Sequence, residues 1–345
     1  MKKIKILTII LLFANSCPLF SQDFSDALFE PDCANSLSNA SEYIENHSDE
    51  LLLRLYNIYK YNGFHFSIKG VEKPVRFSFS SAPQLNLGFG FNYKWLGLNF
   101  GFNFGFINPH LEKYGKESRL DGQFHLYPKK FVIDGIFQYY KGFYIRRSNV
   151  ELPNIDGNYA TMPELRLLNA GVNFLYSFNN REFSYQAAFV NNEIQKKSAG
   201  TVLLGGNILW EHLQSDPENM AEYYPNLYND SVNFSKMYFL NFGIIGGYAY
   251  TFVLKDFYIS AAATPGINME INNVSGDDRD PYTGALFKFT VRIAAGYNKG
   301  RFFTSMIYFI DGNVGAHNYG DIFYRTGNMR FSVGMRLNVH KKKSL

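Results

Sequence analysis

From Leu96 to Phe106 every second residue is Leu or Phe, and every residue between them is Gly or Asn. Alternation this strict fits one regular backbone. Successive side chains of a β-strand point to opposite faces, whereas a helix repeats about every 3.6 residues and would spread these glycines round its circumference. The segment is therefore read as a strand with one greasy face and one face of small polar groups.

The pattern recurs along the chain. Between Val75 and Tyr93 the odd positions include Phe77, Phe79, Leu85, Leu87, Phe89 and Phe91, while Arg76, Ser78, Gln84, Asn86, Gly88 and Gly90 lie between them. From Phe234 to Phe252 the even face is almost all bulky, and the odd face carries Ser235, Asn241, Gly243, Gly247 and Thr251. Ala285 to Tyr297 and Met329 to Val339 behave in the same way. A soluble β-sandwich also alternates, but it buries the apolar side and shows Lys, Glu and Thr to water. Here the second face is small and mostly uncharged, and its partner is too aromatic to leave in water over so many strands. With 34 Phe, 25 Tyr and 29 Gly the chain still has a mean hydropathy of −0.20, so greasy and polar residues are finely interleaved. Lipid outside and a polar interior satisfy both faces. Closure follows, because an open sheet edge in hydrocarbon leaves backbone groups unpaired at several kcal/mol each. The fold class predicted is all-β, a transmembrane antiparallel up-and-down β-barrel over residues 51–340. The uncharged run Met237 to Leu254 competes as a membrane helix, but Asn241, Gly243, Gly246 and Gly247 weaken it and the period of two accounts for every position.

Short connections are predicted at Lys94-Trp95, Pro128 to Lys130, Asn179 to Arg181, Leu254-Lys255 and Asn298 to Gly300. Longer polar ones fall at 70–74, 108–116, 146–162, 271–283 and 313–327. Short and long alternate, as turns and outer loops of such barrels do. One stretch breaks the rule, because Thr201 to His212 has polar connections on both sides. Taking Glu182 to His212 as one interrupted element, or its second half as outer loop, gives about twelve strands, with fourteen as the alternative.

Several blocks then resemble a known family. Ser41-Glu42-Tyr43-Ile44-Glu45 before Leu53-Arg54-Leu55-Tyr56, and Leu87-Gly88-Phe89-Gly90-Phe91-Asn92-Tyr93-Lys94-Trp95-Leu96-Gly97-Leu98, resemble its opening signature. Lys113-Tyr114-Gly115-Lys116, Tyr140-Lys141-Gly142-Phe143-Tyr144, Lys196-Lys197-Ser198-Ala199-Gly200 and Gly247-Tyr248-Ala249-Tyr250 are similar to later blocks. The family is the domain of unknown function 4421, and the likeness spans most of residues 41–340. It implies an outer-membrane barrel of the Bacteroidetes and supplies no catalytic residues.

Residues 1–21 read as a cleavable export signal: Lys2, Lys3 and Lys5 precede the apolar run Ile6 to Phe13, and Ser21 stands before a cut ahead of Gln22. The rival reading, lipidation of Cys17, lacks the Leu expected three places upstream. Cleavage removes three lysines from a formal charge of +4 and leaves Cys33 without a partner for a disulfide. Residues 22–50 hold Asp23, Asp26, Glu30, Asp32, Glu42, Glu45, Asp49 and Glu50 and no Lys or Arg, so they are expected to be a solvated, poorly ordered periplasmic tail. Residues 341–345 form a basic end. The location predicted is the cell outer membrane of a Gram-negative organism. The partners expected are outer-membrane lipid, lipopolysaccharide and the barrel-assembly machinery, with no nucleic acid.

Little in the chain reads as catalysis. His65 and Ser67 share one face of the first strand, and Asp121 and His125 share one face of the fourth. Four residues along a strand separate Cα atoms by about 13 Å, too far for Asp121 and His125 to hydrogen-bond. There is no Gly-x-Ser-x-Gly elbow, no His-Glu-x-x-His pair and no phosphate-binding glycine loop. Gly276-Asp277-Asp278-Arg279-Asp280 lacks calcium-loop spacing and reads as outer loop. No enzyme activity, cofactor or metal is expected.

With the apolar face outside, the inward charges are Arg54 and Arg76 on the first two strands, Asp121 and Asp134 on the fourth and fifth, Lys288 and Arg292 on the tenth, and Arg330 and Arg336 on the twelfth. Closure would gather the cations on one wall opposite the acids. Phe100, Phe242, Phe289 and Val333 should face lipid, while Asn99, Asn241, Lys288 and Ser332 should not. Two function classes remain open: a non-enzymatic pore or transporter for small solutes with a charged lumen, and a closed-lumen structural barrel or lipid-modifying enzyme.

Overall fold

A computed structural model describes residues 42–68, 75–93, 96–128, 130–148, 157–216, 235–275, 282–317 and 320–339. The expected export segment 1–21, Cys33 and most of the acidic tail lie outside the described residues, as do Gly276 to Asp280 and the basic C-terminal end.

The strands are β1 (Ile44–Asn46), β2 (Leu51–Ile68), β3 (Val75–Ser80), β4 (Gln84–Tyr93), β5 (Leu96–Asn103), β6 (Ser118–Leu126), β7 (Phe131–Ser148) and β8 (Thr161–Ser177). After a short helix, α1 (Tyr185–Phe189), come β9 (Glu193–Gln195), β10 (Ala199–Gln214), β11 (Lys236–Leu254), β12 (Phe257–Ser275), β13 (Tyr282–Lys299), β14 (Phe302–His317) and β15 (Gly320–Leu337). The sheet closes where β15 pairs with β2 from Gly320↔Ile68 to Leu337↔Leu51. Every ladder among the described residues is antiparallel, which is the pairing that short turns between consecutive strands allow. The period of two places alternate residues outside: Phe100, Phe242 and Val333 are exposed, while Asn241, Lys288 and Ser332 are buried inside. Asn99 is exposed, because β5 shows both of its faces.

Ten strands, β2, β3, β7, β8 and β10 to β15, make the closed ring. Nearer the short-turn end β3 gives way to β4, β5 and β6, and a count round that half gives the twelve expected from the sequence. Among the described residues β5 pairs there only with β4, and β6 only with β7, so the wall carries a seam between β5 and β6.

The expected second strand is in fact two, and this changes a face. Gly63 of β2 pairs with Ser80 of β3, and Lys60 pairs with Gln84 of β4. Three residues, Ser81 to Pro83, therefore face two on β2, which is a bulge. Proline at such a point donates no ladder hydrogen bond. The odd insertion reverses parity, so Phe77 and Phe79 are buried inside while Leu87 and Phe89 face out.

Candidate functional site in the barrel lumen

The lumen is filled in three layers. Toward the long loops lies an apolar cluster from the wall, with Phe64, Phe77, Phe79, Phe143, Leu165 and Phe239 at its centre. The Phe64 and Phe79 rings stack with centroids 4.9 Å apart, and Phe143 meets Phe64 edge-on at 5.5 Å. Below it runs a belt of amides and charges. The Tyr324 hydroxyl accepts from Asn62 Nδ2 at 2.9 Å and donates to Gln138 Oε1 at 3.2 Å, while Gln138 Nε2 donates to Thr326. Asn241 Nδ2 donates to Glu211 at 2.8 Å. Two voids among the described residues of this region are small, about 40 Å³ beside Glu211 and Glu270 and about 20 Å³ beside Asp134. These have room for little more than a water molecule each.

The third layer is a chain segment. Between β8 and β10 the backbone turns into the short-turn mouth of the barrel and forms α1 and β9. The Ser184 side chain caps the helix, accepting from Ala187 N at 2.9 Å. Phe183, Tyr185, Ala188 and Phe189 are buried against Val132, Leu175, Leu203, Ile245 and Ile307 of the wall. Asn191, at a positive φ of 65°, is fully buried. Its side chain donates to Ser305 Oγ at 3.0 Å and accepts from the Tyr258 hydroxyl at 2.8 Å. The N-terminal strand β1 covers the plug from below through its ladder with β9, and Lys197 donates to Glu42 there. That hydrogen bond holds the Glu42 carboxyl below its ordinary value of 4.5. This departs from the reading of Glu182 to His212 as one interrupted element or with its second half as outer loop: its second half is the ring strand β10, and its first half is the plug.

Seven of the eight predicted charged positions point inward. Arg336 Nη2 donates to Asn191 O of the plug at 2.9 Å and to Asn298 Oδ1 at 2.8 Å. Arg330 reaches Phe189 O at 3.4 Å. Arg54 is buried and donates to Asn92 on β4. Lys288 pairs with Asp311 at 2.7 Å, and Thr290 donates to the same carboxylate at 2.6 Å. Asp121 accepts from Lys60 at 2.9 Å and from the Tyr140 hydroxyl at 2.7 Å. Arg292 crosses from β13 to Asp134 on β7, 3.0 Å away. The Tyr127 hydroxyl stands between them, accepting from Arg292 at 2.5 Å and donating to Asp134 at 2.6 Å. The Arg292 guanidinium also lies over the rings of Tyr185, Phe189 and Phe309, 4.8 to 5.5 Å from their centroids. The cations and acids do come largely from opposite sides of the ring, but they are joined rather than free: Arg292 meets Asp134 across the lumen, and Asp311 lies on the cation side beside Lys288.

Arg76 is the correction. The bulge at Ser81 to Pro83 turns it outward, and it is exposed beside Ser78 on the outer face. Sequence reasoning also missed a pair. His125 Nδ1 lies 2.6 Å from Asp134 Oδ1, because the tight turn after Tyr127 sets His125 opposite Asp134 in the ladder. Asp121 and His125 bond to other partners and not to each other, in keeping with their spacing. Among the described residues no group of three or more His, Cys, Asp and Glu could hold a metal ion.

A ring of antiparallel strands closed by its first and last members, aromatic outside and packed inside, is a barrel of the outer-membrane type. The chain belongs to the family described as Domain of unknown function (DUF4421), whose model matches residues 38–337. No curated protein matches it. Among solved structures, the outer membrane protease OmpT from Escherichia coli aligns at 8% identity with a TM-score of 0.37, covering 84% of this chain and 97% of that one. The P. putida toluene transporter TodX aligns at 8% identity and a TM-score of 0.22, covering 86% and 93%. A Pseudomonas aeruginosa FadL homologue gives 9% and 0.22 over the same shares. A protease and a transporter stand side by side here, and likeness of this degree carries no argument about activity.

Proposed function

We propose that this protein is a non-enzymatic outer-membrane barrel whose lumen is closed at rest. On this reading the signal peptide 1–21 exports the chain and the barrel-assembly machinery inserts it. Its short-turn end and plug face the periplasm, and its long loops face outward, as in barrels of this type. The observation that carries the proposal is the plug: the segment after β8 fills the mouth and is held there by Arg336 and Arg330 through its own carbonyl oxygens. The pore expected from the sequence, with a charged lumen, needs an open passage lined by inward charges. The ion pairs Arg292–Asp134 and Lys288–Asp311 and the apolar upper cluster speak against such a passage. Buried ion pairs are also a costly way to fill a lumen, since apolar packing of similar volume is often at least as stable. Their presence favours the fixing of one arrangement, here the docked plug, over a gain in stability. Liposome-swelling assays test the proposal. Proteoliposomes should swell in small sugars and amino acids no faster than empty liposomes, and solute-dependent swelling would restore the pore reading.

A further inference from the structure

The charged residue that left the lumen leads to a site on the outside. Arg76, Arg146, Arg147 and Arg325 converge with His65 and Ser78 round a cleft of about 540 Å³ on the long-loop part of β2, β3, β7 and β15. The ladders assemble it: Ser78 pairs with both His65 and Arg147, and Arg325 pairs with Gly63. Gly63, without a side chain, leaves its floor open. The register break between Ser78 and Phe79 adds Arg146 to the rim. His65 Nδ1 is fixed 2.9 Å from Ser78 Oγ. Arg76 and His65 also interact with other groups of the protein.

Its height on the wall is a second observation. Below it the outer face of β2 and β15 is apolar, with exposed Leu53, Leu55, Tyr59, Met329, Phe331 and Val333. The change comes at Tyr61, whose hydroxyl lies 3.1 Å from that of Tyr308 and whose ring sits 5.9 Å from the Arg325 guanidinium. Paired tyrosines at the top of an apolar band mark the membrane–water boundary, where the ring is in lipid and the hydroxyl is wet. Four guanidinium groups just above that boundary face the headgroup layer. Guanidinium forks match phosphate oxygens two at a time, and a cluster of them selects a multiply charged phosphate over a single carboxylate.

We infer that this cleft binds the phosphate groups of an acylated, phosphorylated headgroup of the outer leaflet, that is, of lipopolysaccharide, with the acyl chains lying along the apolar face below. The inference rests on the outer-membrane orientation proposed above but not on whether the lumen conducts.

Native mass spectrometry of the purified full chain, titrated with diphosphorylated lipid A in detergent, is the test. The wild type should retain lipid adducts. Arg76→Gln/Arg147→Gln/Arg325→Gln should weaken them about tenfold or more, given the strength of charge-assisted contacts, while Lys255→Gln at the opposite end leaves them unchanged. Heat-modifiable gel mobility establishes that the triple variant is folded. Lipid A lacking both phosphates should bind more weakly than the diphosphorylated form, to the extent that the triple variant does. Equal binding by wild type and triple variant, or indifference to the phosphates, would overturn the inference. So would competition by inorganic pyrophosphate at equal concentration, which would make this a site for free phosphate. Failure here in a barrel that does not conduct would leave the closed-lumen proposal standing.

Discussion

The two ends of the lumen are packed by different chemistry. Toward the long loops the seal is made by wall side chains packing on one another, Phe64 on Phe79 and Phe143 on Phe64. Toward the short turns it is a separate chain segment, held by cations that donate to its backbone and by an ion pair that reaches across the barrel. An apolar seal is tolerant of its members, because each contributes area and little direction. A polar seal depends on every partner being present, since a buried charge left alone costs more than the pair contributed. The lower seal should therefore fail sharply and be repairable in pairs, and the upper one should weaken by degrees.

The largest effect expected is at Arg292. Arg292→Ala strands Asp134 among buried groups and should cost about 3–5 kcal/mol, read as a lower midpoint of heat-modifiable mobility or of denaturant unfolding. The repair is the sharper half of the prediction: Arg292→Met with Asp134→Leu should recover most of that loss. In the upper seal, Leu165→Ala should cost about 3 kcal/mol by opening a cavity. No second substitution among its polar neighbours should rescue it. If both sites behaved alike, the contrast between the two seals would be wrong.

A smaller effect belongs to the plug itself. Ser184→Ala removes the cap of α1 and should cost about 1 kcal/mol, seen as faster amide exchange over Tyr185 to Phe189 with no change in β10. The smallest is set by pH. Glu42 has its pKa lowered by Lys197, so its contribution to docking β1 is present above the ordinary value of 4.5 and is lost as pH falls through the lower folded value. Exchange at the Lys196 amide, which donates to Tyr43 O at 2.7 Å, should quicken only in that acid range. Lys197→Gln should abolish the dependence.

How much of this the sequence revealed follows from what each feature depends on. The alternation of Leu96 to Phe106 and of the later strands is local, and from it came the closed barrel and the faces of Phe242, Val333, Asn241 and Lys288. The face of Arg76 hinged on one residue of register. Its signal was present, because Pro83 interrupts an otherwise regular run and proline within a strand marks a bulge or an edge. The plug left a different trace: the connection between Ser177 and Ala199 is long where its neighbours are tight turns. Helix α1 is too short to show a period, and its burial depends on a mouth built by strands far away in sequence. The His125–Asp134 pair was legible through the turn, since a tight hairpin fixes which residues stand opposite. Arg292 meeting Asp134 was not, because it depends on the width of the closed ring.

The central claim is that the resting lumen is closed, and single-channel recording in planar bilayers addresses it most directly. Wild-type protein that shows heat-modifiable mobility should insert without a steady conductance in a salt gradient. Stable, stepwise conductance from the wild type, with a reversal potential that favours anions and moves toward cations in Arg292→Glu with Arg336→Glu, would contradict it.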